Sequence, residues 1–358
     1  EIFSSLFKSC LDEHAPVRRS KITRPPAPWL NMEDVWKLQN ERNELRHLAH
    51  QTNSERVWNT FREVRNALKT KIKKIKRSFY QKALSSKKPK ELWQIIHRIL
   101  HPNPQPVKAD PDNLNNHFSS TAQRLLGSTP LTKDELGEMI NSLPAHEHQT
   151  LFNLRQVTHA EVLKELTTMR NDSSTGPDQI PAKYLKLVAE YIASPLTHII
   201  NSFISYQRFP DAWKQARVSP IPKITNPTEA DHVRPISILP VLSKVYERLV
   251  LYQLLTYINQ LNVLNTNISG YRKGHSTTTV LLRIRDDIIT AIKKGEVTLI
   301  AFADFSKAFD TVDHSIVLRK LYSIGFSSSS LNWILSYLTG RSQFVQINDK
   351  HSDSKNIQ

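Results

Sequence analysis

The sequence predicts an α+β fold, and three observations support this prediction. Apolar residues recur at helical spacing through long stretches of the chain, as they do from Trp58 to Ala83. Short runs typical of β-strands are sparse, and one of them is 217–222. These runs do not alternate regularly with helices, so neither a βαβ series nor a large parallel sheet is expected.

Size and composition limit the possible functions. A chain of 358 residues exceeds the length at which single hydrophobic cores usually stop growing, which predicts two or three structural units. Lys and Arg total 49 against 33 acidic residues, a net charge of +16 that favours a polyanion, nucleic acid first, over a neutral substrate. No uninterrupted apolar stretch reaches the roughly 18 to 20 residues of a membrane helix, so no membrane partner is expected. The single Cys10 excludes an internal disulfide.

The sequence predicts a basic N-terminal region over residues 1–105. Four prolines among basic residues predict an extended, Pro-rich linker over 1–30. A basic helical region is predicted over 31–105, because the apolar positions between Trp58 and Ala83 step by three and four and form one stripe on a long helix.

This helical region has a charge excess of one sign. Thirteen basic residues stand against two acidic ones between Arg62 and Arg98. Salt bridges within the helix cannot neutralise such an excess, so we expect contacts with nucleic-acid phosphates; a solvated helix face is the alternative. The cations singled out are Lys73, Lys74, Lys76 and Arg77. The run 71–77 is also compatible with nuclear import, which suggests an intracellular, nuclear and/or cytoplasmic protein.

A helical N-terminal extension is predicted over 106–172. Prolines between Pro102 and Pro111 mark its boundary, and helices are expected at about 112–126 and 132–142. Thr158 and Glu161 have capping-box spacing, which predicts a helix from about 159 to 170. A loop at 171–178 follows it.

The C-terminal half contains the predicted strands. The prolines of the run 217–222 confine it to a sheet edge or a strand end. Strands are also expected at 297–304 and 344–348. The helices predicted in this half are about 240–262, 277–294, 314–324 and 329–339.

Asp304 is the candidate metal ligand, because it ends the apolar run at 297–304. An acid in that place is costly unless it is paired, solvated or bound to a cation, and carboxylates suit hard cations such as Mg²⁺. One interpretation of Phe309, five positions later in the sequence, is an aromatic residue of the hydrophobic core. For Asp310 and Asp313 the favoured interpretation is an N-cap of the helix at 314–324.

Four segments carry a family resemblance. The run LIAFADFSKAFDTVDH at 299–314 resembles motif A of non-LTR retrotransposon reverse transcriptases. Upstream segments resemble further motifs of this family and follow the order in which the family has them. These segments are STGPDQIP at 174–181, SPIPK at 219–223 with VRPISIL at 233–239, and SGYRKGHSTTT at 269–279. Chance explains four ordered motifs poorly, and the pattern is similar to that of Jockey-like and chicken-repeat-like elements.

The resemblance implies an architecture and partners. Residues 173–296 would form a fingers-like region, and 297–358 a partial palm with motif A. The basic region at 31–105 looks like the linker between endonuclease and polymerase in such polyproteins. The implied partners are an RNA template, a DNA primer and a dNTP, and the implied reaction is nucleotidyl transfer with two Mg²⁺ ions.

The resemblance also implies residue roles. Asp304 would be the catalytic, metal-binding carboxylate, and the backbone carbonyl of Phe305 would be a further metal ligand. Phe309 would be the steric gate against the sugar. The residues implied for phosphate contacts are Lys223 and Arg234 on the dNTP, and Arg272 and Lys273 on template or primer. Two positions depart from the family pattern: Tyr271 replaces the more usual Phe, and Gln179 stands where Gly is common.

A second acidic cluster is expected of a complete palm. Asp286-Asp287 lies on the predicted helix at 277–294, which is the wrong context for motif C, and no YADD is found. The sequence begins without Met and ends at Gln358 before motifs B and C, so we expect a fragment that does not polymerise alone. A non-enzymatic RNA- or DNA-binding remnant of a retroelement is the alternative. The sequence does not indicate an oligomeric state.

Overall fold

The chain divides into two compact units. The computed structural model describes residues 2–17, 33–85, 92–93, 96, 109–127, 130–145, 150–224, 227–305 and 307–357. The smaller unit is Pro16–Pro106, and the larger unit combines Glu1–Ala15 with Val107–Gln358.

The first helix, α1, spans Ile2–His14 and belongs to the larger unit. Its residues Phe3, Phe7 and Leu11, spaced by four, pack against the hydrophobic core of that unit. The prediction of an extended linker over 1–30 is therefore wrong for 2–14. An apolar helix face outweighs the basic, Pro-rich composition that follows it. The predicted linker from 18 onward lies outside the described residues.

The described part of the smaller unit contains a helical hairpin. Helix α2 is Glu33–Thr52 and helix α3 is Glu55–Leu84, and the two pack together. On α3 the predicted stripe is the packed face: Leu68 is 4% exposed, and the other stripe positions between Trp58 and Phe79 are half-buried. The long helix is thus confirmed, while Lys87, Lys88, Lys90 and Arg98 of the basic stretch lie outside the described residues.

The helices predicted in the larger unit are all confirmed. In chain order, the helices described in the larger unit after α1 are α4 (Pro111–Ser119), α5 (Thr121–Leu126), α6 (Lys133–Asn141), α7 (His159–Thr168), α8 (Ala182–Leu187), α9 (Ala189–Ser205), α10 (Val241–Leu261), α11 (Thr277–Lys293), α12 (His314–Ser323) and α13 (Ser328–Leu338). Of these, α8 and α9 were not predicted, and the single helix predicted at about 112–126 is divided into α4 and α5. Thr158 and Glu161 form the predicted capping box of α7. Asp313 is the N-cap of α12 and accepts hydrogen bonds from the backbone of Ser315 and Ile316. The N-cap interpretation is therefore right for Asp313 and wrong for Asp310.

A small mixed sheet accompanies these helices, which confirms the α+β class. Its described strands are β1 (Gln215–Pro222), β2 (Val233–Ile238), β3 (Arg341–Ile347), β4 (Lys350–His351) and β5 (Lys355–Ile357). The strand order is β2-β1-β3-β4, and β5 also pairs with β3. Strands β1 and β2 form an antiparallel hairpin, whereas β1 and β3 are parallel.

The prolines of β1 lie where the strand has one neighbour. Strand β3 pairs with residues 215–218 of β1, so Pro220 and Pro222 face β2 alone. Proline lacks the N–H that a second ladder would need, which explains this placement. The strand-end alternative is confirmed, while β2 itself was not predicted as a strand.

An aromatic cluster joins the helices that lead into and out of the sheet. Trp333 of α13 donates its indole N–H to the hydroxyl of Tyr246 of α10 at 2.6 Å, and the ring of Phe209 stacks on Tyr246 at 5.4 Å. Burial raises the pKa of Tyr246. Because α10 follows β2 and α13 precedes β3, this buried cluster fixes the helix ends from which both strands extend.

The predicted strand at 297–304 is wrong. Residues 297–305 belong to no helix or strand, and Val297, Leu299 and Phe302 are 97%, 94% and 86% exposed. A β-strand requires a ladder of hydrogen bonds with a neighbour, and no described strand pairs with this segment. Its apolar pattern alone cannot make a strand.

In the described part of the chain, no helix combines the length and the apolar character required to span a bilayer.

Candidate functional site

A cleft of about 680 Å³ lies in the larger unit. Its walls come from the β1–β2 hairpin, the segment 307–314, helices α4 and α5, and the start of β3. Its lining includes the following charged, histidine and aromatic side chains: His117, Phe118, Lys223, Asp231, Arg234, Lys307, Phe309, Asp310, His314 and Arg341.

The β1–β2 hairpin brings two of the predicted cations together. Its register pairs Ile221 with Arg234 and Pro222 with Val233. The backbone N–H of Lys223 then donates to the carbonyl of His232 at 2.8 Å, which extends the hairpin by one further bond. Lys223 and Arg234, eleven positions apart in sequence, consequently share the cleft as exposed side chains.

The predicted steric gate also lines the cleft. Phe309 lies in the turn at 307–310 and is 76% exposed, so its alternative role as a core aromatic is wrong. Its ring meets that of Tyr271, whose backbone φ is +60°. The structure therefore brings Lys223, Arg234 and Phe309 to one site.

Asp231 is a carboxylate of the cleft that no sequence motif singled out. Its Oδ1 lies 3.3 Å from Lys307 Nζ and 3.3 Å from His117 Nε2. The hydrogen bond from Lys307, and then its charge, lower the pKa of Asp231. Burial, and then the charge of Arg124, lower the pKa of His117.

Arg341 is a second residue that the sequence did not single out. Its Nε donates to the carbonyl of Tyr337 at 2.7 Å, and its guanidinium carbon lies 4.3 Å from the Tyr337 ring centroid. Its buried Nη2 has no hydrogen-bond partner. No local signal marks Arg341, Asp231 or His117, because only the tertiary arrangement of the sheet, turn and α4 brings them to the cleft.

Asp304 lies beside the cleft residues in sequence but is not among the residues that line it. Asp304 and Phe305 are both exposed, and Phe305 reaches 80%. Among the described residues, no group of three or more His, Cys, Asp or Glu side chains is arranged to hold a metal ion. The predicted metal ligands are thus accessible to solvent but do not form a complete cation site.

The loop at 269–276 presents its two predicted phosphate ligands differently. Arg272 Nη1 donates to the backbone carbonyls of Asn265 and Ile268 at 3.3 and 3.2 Å, so this side chain helps to fold its own loop. Lys273 is exposed. Ser276 ends the loop as the N-cap of α11.

The loop that begins at Ser174 is held against β1 and α10. Arg217 Nη2 donates to the Thr175 carbonyl at 2.8 Å, and Gly176 is buried so close to Pro240 that an added Cβ would lie 2.6 Å from the Pro240 backbone. Gln179 has a backbone φ of +56°. This left-handed conformation favours Gly, which explains why Gly suits the position.

The predicted nucleic-acid cations of α3 lie on its exposed side. Lys73, Lys74, Lys76 and Arg77 are all exposed, opposite the packed stripe. Lys71 instead pairs with Asp34 of α2 at 2.8 Å. The exposed face of this helix therefore keeps a concentration of positive charge.

Part of the chain matches a family of known proteins. Residues 221–357 match the family model described as Reverse transcriptase (RNA-dependent DNA polymerase). The chain is 26% identical over 276 residues to the RNA-directed DNA polymerase from mobile element jockey of Drosophila melanogaster, with 74% of this chain and 30% of the relative covered. The chain is thus similar to RNA-directed DNA polymerases of mobile elements, and its residues 221–357 are similar to the reverse transcriptase family.

Two further reverse-transcriptase relatives support the same relationship. The jockey polymerase of Drosophila funebris is 30% identical over 203 residues, covering 56% of this chain and 22% of the relative. The protein named "Probable RNA-directed DNA polymerase from transposon BS" of Drosophila melanogaster is 28% identical over 222 residues, covering 62% and 24%. The chain thus spans less than a third of each of these relatives.

Proposed function

We propose that this chain is part of an RNA-directed DNA polymerase, containing its fingers and the first part of its palm. The observation that carries the proposal is the cleft at which Lys223, Arg234 and Phe309 meet. Two separate motifs with a family resemblance contribute these residues. The reverse-transcriptase match over 221–357 includes all three positions.

The cleft has the chemistry of a nucleotide site. A dNTP carries about four negative charges, and Lys and Arg side chains form charge-assisted hydrogen bonds with phosphate oxygens. Lys223 and Arg234 would hold the triphosphate, while the exposed ring of Phe309 would pack against the sugar and exclude a 2′-hydroxyl. Arg272 and Lys273 would contact the backbone of the RNA template or the DNA primer.

Divalent cations belong to the same proposal. Asp304 and the carbonyl of Phe305 supply oxygen donors, which are the donors that Mg²⁺ prefers. A pair of Mg²⁺ ions would stabilise the attacking and leaving oxygens during transfer. The described residues supply too few donors for two ions, so Asp304 is proposed as one ligand of a larger set.

Nucleotide binding by the purified chain tests this function without requiring synthesis. We expect dTTP to bind, as measured by calorimetry, and Arg234→Gln to weaken that binding. Arg208→Gln removes an exposed arginine that is absent from the cleft lining and is the matched control. A wild-type chain that does not bind dTTP, or equal effects of the two substitutions, would contradict the proposal.

The exposed basic face of α3 favours a second candidate, a non-enzymatic RNA- or DNA-binding remnant. This candidate predicts salt-sensitive RNA binding without dTTP binding. Primer extension on an RNA template with Mg²⁺ tests the expected inactivity of the chain alone. Synthesis that Asp304→Ala abolishes would show that expectation to be wrong.

A further inference from the structure

We propose that the carboxylate of Asp231 is an internal counter-ion of Lys307, that the Asp231 backbone carbonyl holds Lys223 in the same cleft, and that an incoming triphosphate replaces Asp231 as the partner of Lys307. This inference rests on the proposed nucleotide binding and adds to it a third phosphate-binding cation. It assigns Asp231 a positioning role without contact with the reacting atoms.

Three side chains converge on Asp231 from three elements. Asp231 lies in the short helical turn Ala230–His232 that leads into β2. Its carboxylate Oδ1 is 3.3 Å from both Lys307 Nζ of the motif A turn and His117 Nε2 of α4. Its backbone carbonyl accepts a hydrogen bond from Lys223 Nζ at 2.7 Å. Both lysines of the cleft are therefore bound to one residue.

The pair with Lys307 is suited to exchange. The two side chains are 65% and 34% exposed, and ion pairs of this exposure contribute little because water competes for both charges. A triphosphate presents several anionic oxygens to the same ammonium group, where Asp231 presents a single carboxylate. Lys307 has the nucleotide-facing position required, since it lines the cleft together with Arg234 and Phe309.

The inference predicts how removal of the Asp231 charge changes the affinity of the chain for nucleotides. Asp231→Asn keeps the shape of the side chain, deletes the competing charge and leaves Lys307 available to phosphate. Triphosphate binding becomes tighter by about two- to fivefold, the factor that corresponds to an exposed ion pair. The gain falls from dTTP to dTDP to dTMP and disappears for thymidine, because it depends on phosphate charge.

The test compares Asp231→Asn with Glu229→Gln in metal-free buffer. Glu229 lies on the same turn, pairs with His232 at 3.9 Å and is not among the cleft-lining residues. Its neutralisation removes the same charge from the same place without freeing Lys307. Calorimetric titration with dTTP, dTDP, dTMP and thymidine gives the affinities, and Lys307→Gln in the Asp231→Asn background removes the gain.

Each outcome has a definite meaning. A gain for Asp231→Asn that scales with phosphate number, with none for Glu229→Gln, supports the inference. An equal gain for both variants, a loss, or no change at Asp231 overturns it and leaves the proposed function intact. Failure of the wild-type chain to bind dTTP contradicts the proposed function itself.

Discussion

The ring of Tyr271 meets the ring of Phe309 edge-on, with 5.8 Å between their centroids and an angle of 89° between their planes. The two residues come from separate motif loops and are otherwise 90% and 76% exposed. Edge-to-face contact is a favoured geometry for aromatic pairs. Tyr271 therefore restricts the orientations available to the ring proposed to exclude a 2′-hydroxyl.

This contact predicts that Tyr271 influences sugar discrimination. Tyr271→Ala should reduce the ratio of dTTP to rTTP affinity about twofold, because an exposed aromatic pair lies near the lower end of about 0.5–1.5 kcal/mol. Phe309→Ala should reduce the ratio further. Competition titrations with the two nucleotides measure it. Tyr271→Phe keeps the ring and is the control, so a reduced ratio in that variant would refute the proposed support.

The four exposed cations of α3 predict a salt-dependent affinity for RNA. Their joint replacement by Gln should reduce the magnitude of the negative slope of log K against log salt by about 0.7 for each phosphate that is no longer neutralised, the value for single strands. Anisotropy titrations of a labelled RNA over a salt series measure the slope. The residues replaced are Lys73, Lys74, Lys76 and Arg77.

A control for this experiment removes the same charge elsewhere. Four exposed lysines distributed over the larger unit are replaced by Gln in one variant: Lys133, Lys164, Lys320 and Lys350. We expect that variant to keep the wild-type slope. If the magnitude of the slope decreased similarly in both variants, net charge alone would control binding.

Local signals in the sequence predicted local structure well. The stripe of α3 and the capping box of Thr158 and Glu161 depend on residues a few positions apart, so they could be found without tertiary information. The segment 297–304 shows the limit of such signals. It has the apolar pattern of a strand, but a strand also requires a partner, and the described strands do not supply one.

The residues of the candidate site also fall into two groups: those that sequence motifs identified and those that only tertiary contacts reveal. Motif resemblance singled out Lys223, Arg234 and Phe309, and the structure brings all three to the cleft. Asp231 and His117 could not be found in this way. Their role depends on a contact between residues 114 positions apart, for which the sequence contains no local signal.

Gln179 provides a stability prediction from a departure in the family pattern. Its φ of +56° lies in the left-handed region, where a residue with a Cβ is strained by about 1 kcal/mol. Gln179→Gly should therefore raise the free energy of unfolding by up to about 1 kcal/mol, as measured by urea denaturation. Gln179→Ala retains a Cβ and should be close to neutral. Equal effects of Gly and Ala would exclude strain as the cause.

Glu161 predicts a change in stability at acid pH. Two hydrogen bonds from Arg155, followed by bonds with Thr158, lower its pKa to about 2 from 4.5. Because the folded pKa is below the unfolded one, this stabilisation is present above about pH 4.5 and is lost as the pH falls towards 2. Solvent screening limits its contribution at pH 7 to about 1 kcal/mol.

Substitution tests this pH dependence. Glu161→Gln should be less stable than the wild type at pH 7, and most of this difference should disappear near pH 2, where about half of the wild-type carboxyl groups are protonated. Urea denaturation at several pH values gives the difference in free energy of unfolding. Glu190→Gln changes an exposed glutamate on α9 and is the control. A difference that stays constant with pH would contradict the assignment to ionisation.

Gly176 predicts a steric limit on the loop that approaches α10. A Cβ at this position would lie 2.6 Å from the Cα and N of Pro240, and these backbone atoms cannot rotate away. Gly176→Ala should therefore destabilise the larger unit by about 1–3 kcal/mol, the range for overpacking. At Gly270 an added Cβ would meet nothing within 4 Å, which makes Gly270→Ala the matched control. Urea denaturation compares the two variants, and similar midpoints for both would show that the loop can move away from Pro240.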